Sequence, residues 1–350
     1  MSRSKVWRRM ALALVGMVAG GGAGLAWWLN RELAPMPAGN ETVIRIDPTA
    51  PRTVVYKDLA RRSVIRNVAA FELMARLQRQ PETVREGSYR VRSGMTADEI
   101  FQTLQKPIRQ NVRIPEGWWI RRVAKRLESQ GVCSAADYIA AAGDAARFAD
   151  VTKLPIPRTG SLEGFLFPDT YDLPPKMGAE AVIRRQLRAF RQRVGPILQP
   201  ETDLRRILTI ASMVELEAAR NAERPRIAGV IENRMRERMT LDIDATVLYA
   251  LQEWKVLGPG VVRTVDSPYN TYLRRGLPPG PIGSPGLASI QAAIAPESHP
   301  YFFYVARPDR SHFFTANYPA HRAAIRRARA EFRAEAAKSE AAKSAEQGTP

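Results

Sequence analysis

The stretch 204–220 most strongly constrains how this chain folds, because it combines a helical apolar pattern with two acidic side chains. Its centre, ASMVELEA at 211–218, places Glu215 and Glu217 directly after apolar residues spaced for one helix. An apolar helix of this kind must be buried against other elements. A carboxyl held there is poorly solvated, which raises its pKa and suits it to donate a proton near neutral pH. The plain alternative is a helix that carries both glutamates on its solvated edge.

Helical geometry does not choose between the two glutamates. Their positions can be measured from the helix face centred on Ile207, Ala211 and Val214. At roughly 100° per residue, Glu215 and Glu217 lie about 80° to either side of that face. Both side chains therefore stay candidates when the residues alone are considered.

The first thirty residues predict a single membrane anchor. Four basic residues, at positions 3, 5, 8 and 9, precede an uncharged run from Ala11 to Leu29. A helix of that length spans roughly 28 Å, close to the hydrocarbon core of a bilayer. Because positive charge stays in the cytoplasm, we expect the N-terminus inside and the rest of the chain outside. A cleaved signal peptide is the alternative, since residues 23–26 resemble a cleavage site.

The net charge of +18 and the single cysteine limit the partners. A basic chain suggests nucleic acid. However, the predicted anchor directs the folded part away from the cytoplasm, and the arginines are dispersed, so we expect no nucleic-acid partner. Anionic headgroups or cell-wall polymer fit better. Cys133 is alone and cannot form an internal disulfide. No His–Cys cluster suggests zinc, and we expect neither a metal nor a cofactor.

The order of elements predicts an α+β chain with two domains outside the membrane. Residues 1–30 form the cytoplasmic stub and transmembrane helix, and 31–42 are typical of a linker. Residues 43–110 predict a small α/β domain. Residues 111–332 predict a larger mixed α+β domain built around the glutamate helix. Residues 333–350 have no apolar face and are predicted to be disordered.

Local patterns predict several individual elements. Thr96 is a good N-cap, and Glu99 completes a capping box at the start of a helix. The β-prone run Thr53–Tyr56 predicts a strand. The aromatic runs 301–305 and 312–314 predict a strand pair.

A long Gly- and Pro-rich loop is predicted at 267–286. A structureless loop of this length inside a domain is unusual and, when real, is often functional. Its Tyr269 and Tyr272 have flat faces and polar tips that suit sugar rings. The loop therefore predicts one wall of a cleft, and a rigid structural crossover is the alternative.

Eight segments together have a pattern that is typical of one protein family. They are EGSYRVRSGMTADEI (86–100), RIPEGWWIRRVAKRL (113–127), LEGFLFPDTYDL (162–173), ASMVELEA (211–218), IENRM (231–235), LDIDATVLYAL (241–251), SPYNTYLRRGLPPGPIGSPGLASIQAA (267–293) and HFFTANYPAHRAAI (312–325). The chain resembles the YceG-like, or MltG-type, endolytic murein transglycosylases of bacteria. The segments occur in the family order and cover nearly everything from 43 to 330.

The resemblance implies a membrane-anchored lytic transglycosylase. Such enzymes cleave the β-1,4 bond between N-acetylmuramic acid and N-acetylglucosamine within the glycan strands of peptidoglycan. The sugar's own C6 hydroxyl replaces water, so the product has a 1,6-anhydro end. The resemblance further implies a LysM-like domain at 43–110 and a lysozyme-like glutamate helix in the larger domain. It implies a single-pass protein of the inner membrane with a periplasmic catalytic part, and wall synthases as partners.

By its position in the Ala-Ser-x-Val-Glu pattern, the resemblance makes Glu215 the catalytic general acid and base. Glu217 is then secondary: it orients Glu215, raises its pKa as a like charge, or forms an exposed ion pair with Arg220 or Arg224. The candidate substrate-binding residues are Glu163, Phe165, Asp244, Tyr249, Asn270, Thr271, Tyr272 and His312. The alternative function is a non-catalytic peptidoglycan-binding scaffold of the wall-synthesis machinery.

Overall fold

The predicted membrane anchor lies mostly outside the part of the chain that can be described. The computed structural model describes residues 22–46, 48–151, 156–157, 159–258 and 260–347. Residues 22–32, at the end of the predicted anchor, are helical. Within these ranges, no helix has both the length and the apolar character needed to cross a bilayer.

The chain divides into two compact units of mixed α and β structure. One consists of Met1–Asn111 and Asp172–Met177, and the other of Val112–Tyr171 and Gly178–Pro350. The sequence assigns 172–177 to the larger domain, whereas the structure groups this segment with the smaller unit. There, the carbonyl of Pro175 accepts a hydrogen bond from the hydroxyl of Ser88.

The smaller unit is a set of short strands and helices around an aromatic core. Its elements are β1 (Glu41–Ile46), β2 (Ala50–Pro51), α1 (Arg52–Arg61), α2 (Val68–Leu77), β3 (Thr83–Val84), β4 (Gly87–Arg92) and α3 (Ala97–Gln105). Strands β1 and β4 pair antiparallel, as do β2 and β3. The rings of Tyr56, Phe71 and Phe101 pack with centroids 5.7–6.3 Å apart. The capping box of Thr96 and Glu99 is confirmed at the start of α3.

The strand predicted at Thr53–Tyr56 is wrong, because these residues belong to α1. Val55, Tyr56 and Leu59 lie on one helical face and are buried, which stabilises the helix despite the β-prone composition. Arg52, the first residue of α1, is buried in an ion pair with Glu72 at 2.8 Å. Tertiary contacts of this kind override local propensity.

The larger unit is mostly helical. Its elements are β5 (Asn111–Arg113), α4 (Ile120–Ser129), α5 (Ala135–Ala142), β6 (Thr170–Asp172), α6 (Ala179–Val194), α7 (Leu204–Glu217), α8 (Arg224–Arg236), α9 (Asp244–Leu251), α10 (Leu287–Ile294), β7 (Phe303–Ala306), β8 (His312–Thr315) and α11 (Tyr318–Gln347). The predicted aromatic strand pair is confirmed, since β7 and β8 pair antiparallel.

Helix α7 is the buried helix of this unit. Asp203 caps its N-terminus by accepting from the backbone N–H of Arg206. Leu208, Ile210 and Val214 are fully buried, as the apolar pattern predicts. The helix ends at Glu217, so both glutamates occupy its last turn.

The Gly- and Pro-rich loop packs along α7. The backbone N–H of Ile282 donates to the hydroxyl of Ser212, and that of Gly286 donates to Oε2 of Glu215. The hydroxyl of Ser212 also donates to the carbonyl of Thr209, so it is fully used. These bonds fix the loop against the glutamate helix and satisfy backbone groups that would otherwise be buried unpaired.

The C-terminal segment is helical where the sequence predicts disorder. Helix α11 continues to Gln347, through most of the stretch 333–350. Alanine, glutamate and lysine dominate this stretch and are strong helix formers, so a helix begun at Tyr318 extends without an apolar face to bury.

Candidate functional site

The C-terminal end of α7 borders a cavity of about 330 Å³ in the larger unit. The cavity brings together side chains from five elements and the segments between them. It is lined by Glu217, Arg234, Leu241, Asp242, Asp244, Tyr272, Phe303, Tyr304, Tyr318 and His321. Three carboxylates, three tyrosines and two basic side chains in one recess form a polar site that is suited to hydrogen-bond a polyhydroxylated ligand.

Glu217 is the carboxylate of this cavity with the clearest proton-donor character. Burial raises its pKa, a hydrogen bond from Tyr304 opposes that rise, and the negative charge of Asp244 adds to it. The hydroxyl of Tyr304 lies 3.0 Å from Oε2 of Glu217. The C-terminal end of a helix also disfavours a negative charge. These effects keep Glu217 protonated to higher pH than an ordinary glutamate.

Asp244 stands at the first position of α9, on the same cavity. Its Oδ1 accepts a hydrogen bond of 2.6 Å from the hydroxyl of Tyr272. The negative charge of Asp244 raises the pKa of the Tyr272 hydroxyl, in addition to the effect of burial. Glu217 and Asp244 are thus acidic groups of one cavity in different surroundings, the first half-buried and the second exposed.

Tyr304 is held by an aromatic and ionic cluster behind the cavity. Its ring meets that of His312 edge-on, with centroids 5.4 Å apart. His312 in turn has Nδ1 2.7 Å from Oε2 of Glu223, and its backbone N–H donates to the other oxygen of Glu223. Electrostatic interactions with His312 and Arg234 lower the pKa of Glu217 and so oppose part of the rise caused by burial.

Glu215 lies in a different environment from Glu217. Its side chain is only 6% exposed, and its Oε1 lies 3.0 Å from the guanidinium of Arg224, which is equally buried. Arg224 also donates to Asn221 and to the hydroxyl of Ser289. With Gly286 on its other oxygen, Glu215 is paired on both sides. It links α7, α8 and the start of α10 and does not line the cavity.

A second buried carboxyl, Glu163, lies away from the cavity. It accepts from the backbone N–H of Ile120, at the start of α4, at 3.1 Å to each oxygen. The hydroxyl of Tyr249 lies 3.4 Å from its Oε2. Burial raises the pKa of Glu163 to about 8, more than these hydrogen bonds lower it. Glu163 is therefore largely protonated at neutral pH and closes the N-terminus of α4.

The structure separates the predicted substrate-binding residues into two groups. Asp244 and Tyr272 line the cavity. The predicted residues that lie elsewhere in the larger unit are Glu163, Phe165, Tyr249, Asn270, Thr271 and His312.

Three of these residues have clear packing or hydrogen-bonding roles. Phe165 is buried against Phe190. The amide of Asn270 donates to two loop carbonyls, and its oxygen accepts from the N–H of Tyr272. The hydroxyl of Thr271 accepts from the N–H of Ile243, just before α9. Asn270 and Thr271 thus position Tyr272 and Asp244.

Sequence reasoning missed several residues of the cavity, above all Tyr304 and Arg234. The run 301–305 predicts only an aromatic strand. No local pattern indicates that Tyr304 donates a hydrogen bond to Glu217, which lies 87 positions earlier. Among the described residues, no group of three or more His, Cys, Asp or Glu side chains is arranged to hold a metal ion.

Comparison with known families identifies the family of the chain. A model of the YceG-like family matches residues 44–327. The chain belongs to that family. The match spans both units and includes every residue of the cavity.

Two proteins similar to this YceG-like chain share the name endolytic murein transglycosylase, and a solved structure is similar in fold. The endolytic murein transglycosylase of Bacillus subtilis is 28% identical over 310 residues, covering 83% of this chain and 86% of that protein. The endolytic murein transglycosylase of Streptococcus pneumoniae strain D39 is 27% identical and covers 85% of this chain and 60% of that protein. A crystal structure of a yceG-like protein from Listeria monocytogenes is similar in fold, with a TM-score of 0.52 and 28% identity. It covers 81% of this chain and 98% of that one.

Proposed function

We propose that this YceG-like chain is a lytic transglycosylase. It cleaves the β-1,4 bond between N-acetylmuramic acid and N-acetylglucosamine in peptidoglycan and leaves 1,6-anhydro-muramic ends. Membership of the family and relatives named endolytic murein transglycosylase support this function. The single observation that carries it is the carboxyl of Glu217, whose pKa is raised by burial at a polar cavity.

Glu217, rather than Glu215, is our candidate for the general acid and base. The family pattern favours Glu215, but this side chain is not among those that line the cavity. In the structure, Oε1 of Glu215 lies 3.0 Å from the guanidinium of Arg224, and Oε2 accepts from the N–H of Gly286. Both oxygens are therefore used in packing α7 against α8 and the loop, away from the cavity. Glu217 lines the cavity, and its carboxyl accepts a hydrogen bond from the hydroxyl of Tyr304.

The reaction needs one group that gives and then takes a proton. Protonated Glu217 donates its proton to the glycosidic oxygen as the bond from that oxygen to C1 breaks. The positive charge that develops at the sugar ring is stabilised by the solvated carboxylate of Asp244. The C6 hydroxyl then bonds to C1 and gives its proton to the Glu217 carboxylate. This restores the acid and closes the 1,6-anhydro ring without a water molecule.

Tyr304 has a matching role in this cycle. Its hydroxyl donates to Glu217 and so stabilises the carboxylate that exists between the two proton transfers. Burial favours the protonated form of Glu217, and this hydrogen bond favours the ionised form, so both forms remain accessible. A group that must serve in both steps needs that balance.

The proposal extends to the location of the chain. A single anchor within residues 1–30, with the larger unit in the periplasm, would hold the cavity near newly made glycan, and wall synthases are the expected partners. A LysM-like glycan-binding role of the smaller unit is part of the same proposal. Retention of the full chain in the membrane pellet after an alkaline carbonate wash tests the anchor, and release into the supernatant contradicts it.

Product analysis tests the proposed reaction. The purified full chain is incubated with murein, and the released fragments are weighed by mass spectrometry. We expect fragments with anhydro-muramic ends. Fragments one water heavier, with reducing ends, would instead mean an ordinary lysozyme-like hydrolase. Binding to murein without any cleavage would mean the non-catalytic scaffold, which the enzyme name of the relatives does not favour.

A further inference from the structure

A second cavity of the larger unit has no role in the reaction described above. It has a volume of about 570 Å³ and lies beside α4 and the segment that follows α9. The side chains that define it, here called the tryptophan cleft, are Trp119, Arg121, Arg122, Lys125, Trp254 and Lys255. It combines flat aromatic rings with four cations.

The aromatic part of the cleft is open to solvent. Trp254 is 54% exposed, which is unusual for so large an apolar ring in a loop. Its ring lies 6.0 Å from that of the buried Trp119, and the guanidinium of Arg122 lies between Trp118 and Trp254, at 4.3 and 6.0 Å from their rings. The cation–π contacts keep Arg122 in place. An exposed, supported indole face of this kind suits a sugar ring.

The charge of the cleft is strongly positive. Lys255 forms an ion pair with Glu253 at 2.5 Å. Glu253 is the only acidic residue among those that line the cleft. Arg121 and Lys125 are exposed and, in the part of the chain that the structure describes, take part in no ion pair or hydrogen bond. Cations left without partners beside a recess attract an anionic ligand.

The tryptophan cleft and the Glu217 cavity lie at opposite ends of α9. Asp244 begins that helix on the cavity side, and Gln252, directly after its end, lines the cleft. Eight helical residues span about 12 Å. Tyr249 of α9 also contacts Trp119 edge-on at 6.2 Å. A polymer of several sugars is long enough to reach both sites.

We infer that the tryptophan cleft is a distal subsite for a peptide-bearing saccharide of the glycan strand. The indole of Trp254 stacks on a sugar ring, and Arg121 and Lys125 bind the free carboxylates of the short peptide attached to it. This inference rests on the proposed function and names the form of substrate, a strand that still carries its peptides. A flat basic surface would suit an anionic membrane, whereas a recess with an aromatic wall suits a sugar.

Binding measurements in a catalytically blocked chain test the subsite. Full-length Glu217→Gln is mixed with soluble uncrosslinked glycan strands, either with their peptides or after an amidase has removed them, and affinities are measured by tryptophan fluorescence or calorimetry. We expect Trp254→Ala to weaken binding of both ligands about tenfold, and Arg121→Ala/Lys125→Ala to weaken only the peptide-bearing strands by about tenfold. The control Arg188→Ala/Arg191→Ala removes two exposed charges from α6 and should bind like the parent.

Several outcomes overturn the subsite. Unchanged affinity in both cleft variants does so, as does an equal loss in the α6 control. Tighter binding of anionic vesicles or single-stranded oligonucleotide than of peptide-bearing strands assigns the cleft to another partner. If Trp254→Ala fails to fold, Arg121→Ala/Lys125→Ala still tests the subsite, because both of these side chains are exposed. A chain that cleaves murein but shows no cleft effect contradicts only this inference. A chain that binds through the cleft without cleaving contradicts only the proposed function.

Discussion

Glu215 and Glu217 lie in one turn of α7 but contact different partners, because their side chains point in different directions. Residues two apart on a helix point about 200° from each other. Glu215 thus reaches the guanidinium of Arg224, and Glu217 reaches Tyr304 at the cavity. Glu215 therefore stabilises the packing of three helices, and Glu217 is left with the features of a proton donor. At the scale of single residues, function follows from the partner and not from the sequence spacing.

The buried acid Glu163 gives a pH prediction at the same scale. Its pKa of about 8 in the folded chain lies above the ordinary value of 4.5, so the folded state holds the proton more tightly. Stability is then full below about pH 4.5 and falls as pH rises towards 8, by up to about 5 kcal/mol. Glu163→Gln keeps the acceptor for Ile120 and removes the titration. We expect the variant to gain stability relative to wild type between pH 6 and pH 9 in urea denaturation.

A matched control makes the Glu163 experiment specific. Glu201→Gln changes an exposed glutamate of the same unit and should follow the wild-type pH dependence. If Glu163→Gln also follows wild type at both pH values, then Glu163 is ionised throughout and its assignment here is wrong.

At the scale of elements, α8 packs against the chain after α10 with no room for a side chain at Gly229. A Cβ at this position would lie 2.2 Å from the carbonyl oxygen of Glu297 and 2.6 Å from Nε2 of His299. We expect Gly229→Ala to lower the free energy of unfolding by about 1–3 kcal/mol, because the helix must shift. Gly258→Ala, whose Cβ would have its nearest neighbour at 3.6 Å, should change it by less than about 0.5 kcal/mol. Equal stability of the two variants in urea denaturation would contradict this packing.

Elements with a strong local pattern were predictable from the sequence. The capping box of Thr96 and Glu99 begins α3 where expected, and the aromatic runs 301–305 and 312–314 form the predicted strand pair. The strand predicted at Thr53–Tyr56 is wrong, because burial of one helical face outweighs the β propensity of these residues. The disorder predicted for 333–350 is wrong, because a segment without an apolar face can still be helical when alanine, glutamate and lysine dominate it.

The candidate site was only partly predictable. Glu217, Asp244 and Tyr272 could be nominated because they stand in polar or acidic motifs next to apolar runs. Tyr304 and Arg234 could not, since only the tertiary packing of β7 and α8 brings them to the cavity. The roles of Asn270 and Thr271 were likewise hidden, because their hydrogen bonds hold backbone groups of the loop and of the segment before α9.

At the scale of the whole molecule, composition and family agree on one substrate class. The net charge of +18 suits an anionic polymer, with attraction that extends about 8–10 Å at physiological ionic strength. Two recesses of the larger unit suit such a polymer, one with a proton donor and one with cations and indole rings. A long, peptide-bearing glycan provides ligands for both. The account depends on the first recess being the place of bond cleavage.

The most direct test compares Glu217→Gln with Glu215→Gln in the full-length chain. The measurement is the rate at which anhydro-ended fragments leave purified murein, divided by the amount of folded protein. We predict that Glu217→Gln lowers this rate at least about 100-fold, the effect of a lost general acid. Glu215→Gln should retain it within about tenfold, although leaving Arg224 unpaired lowers stability by about 3–5 kcal/mol. A folded Glu215→Gln that is inactive beside a fully active Glu217→Gln would contradict the account.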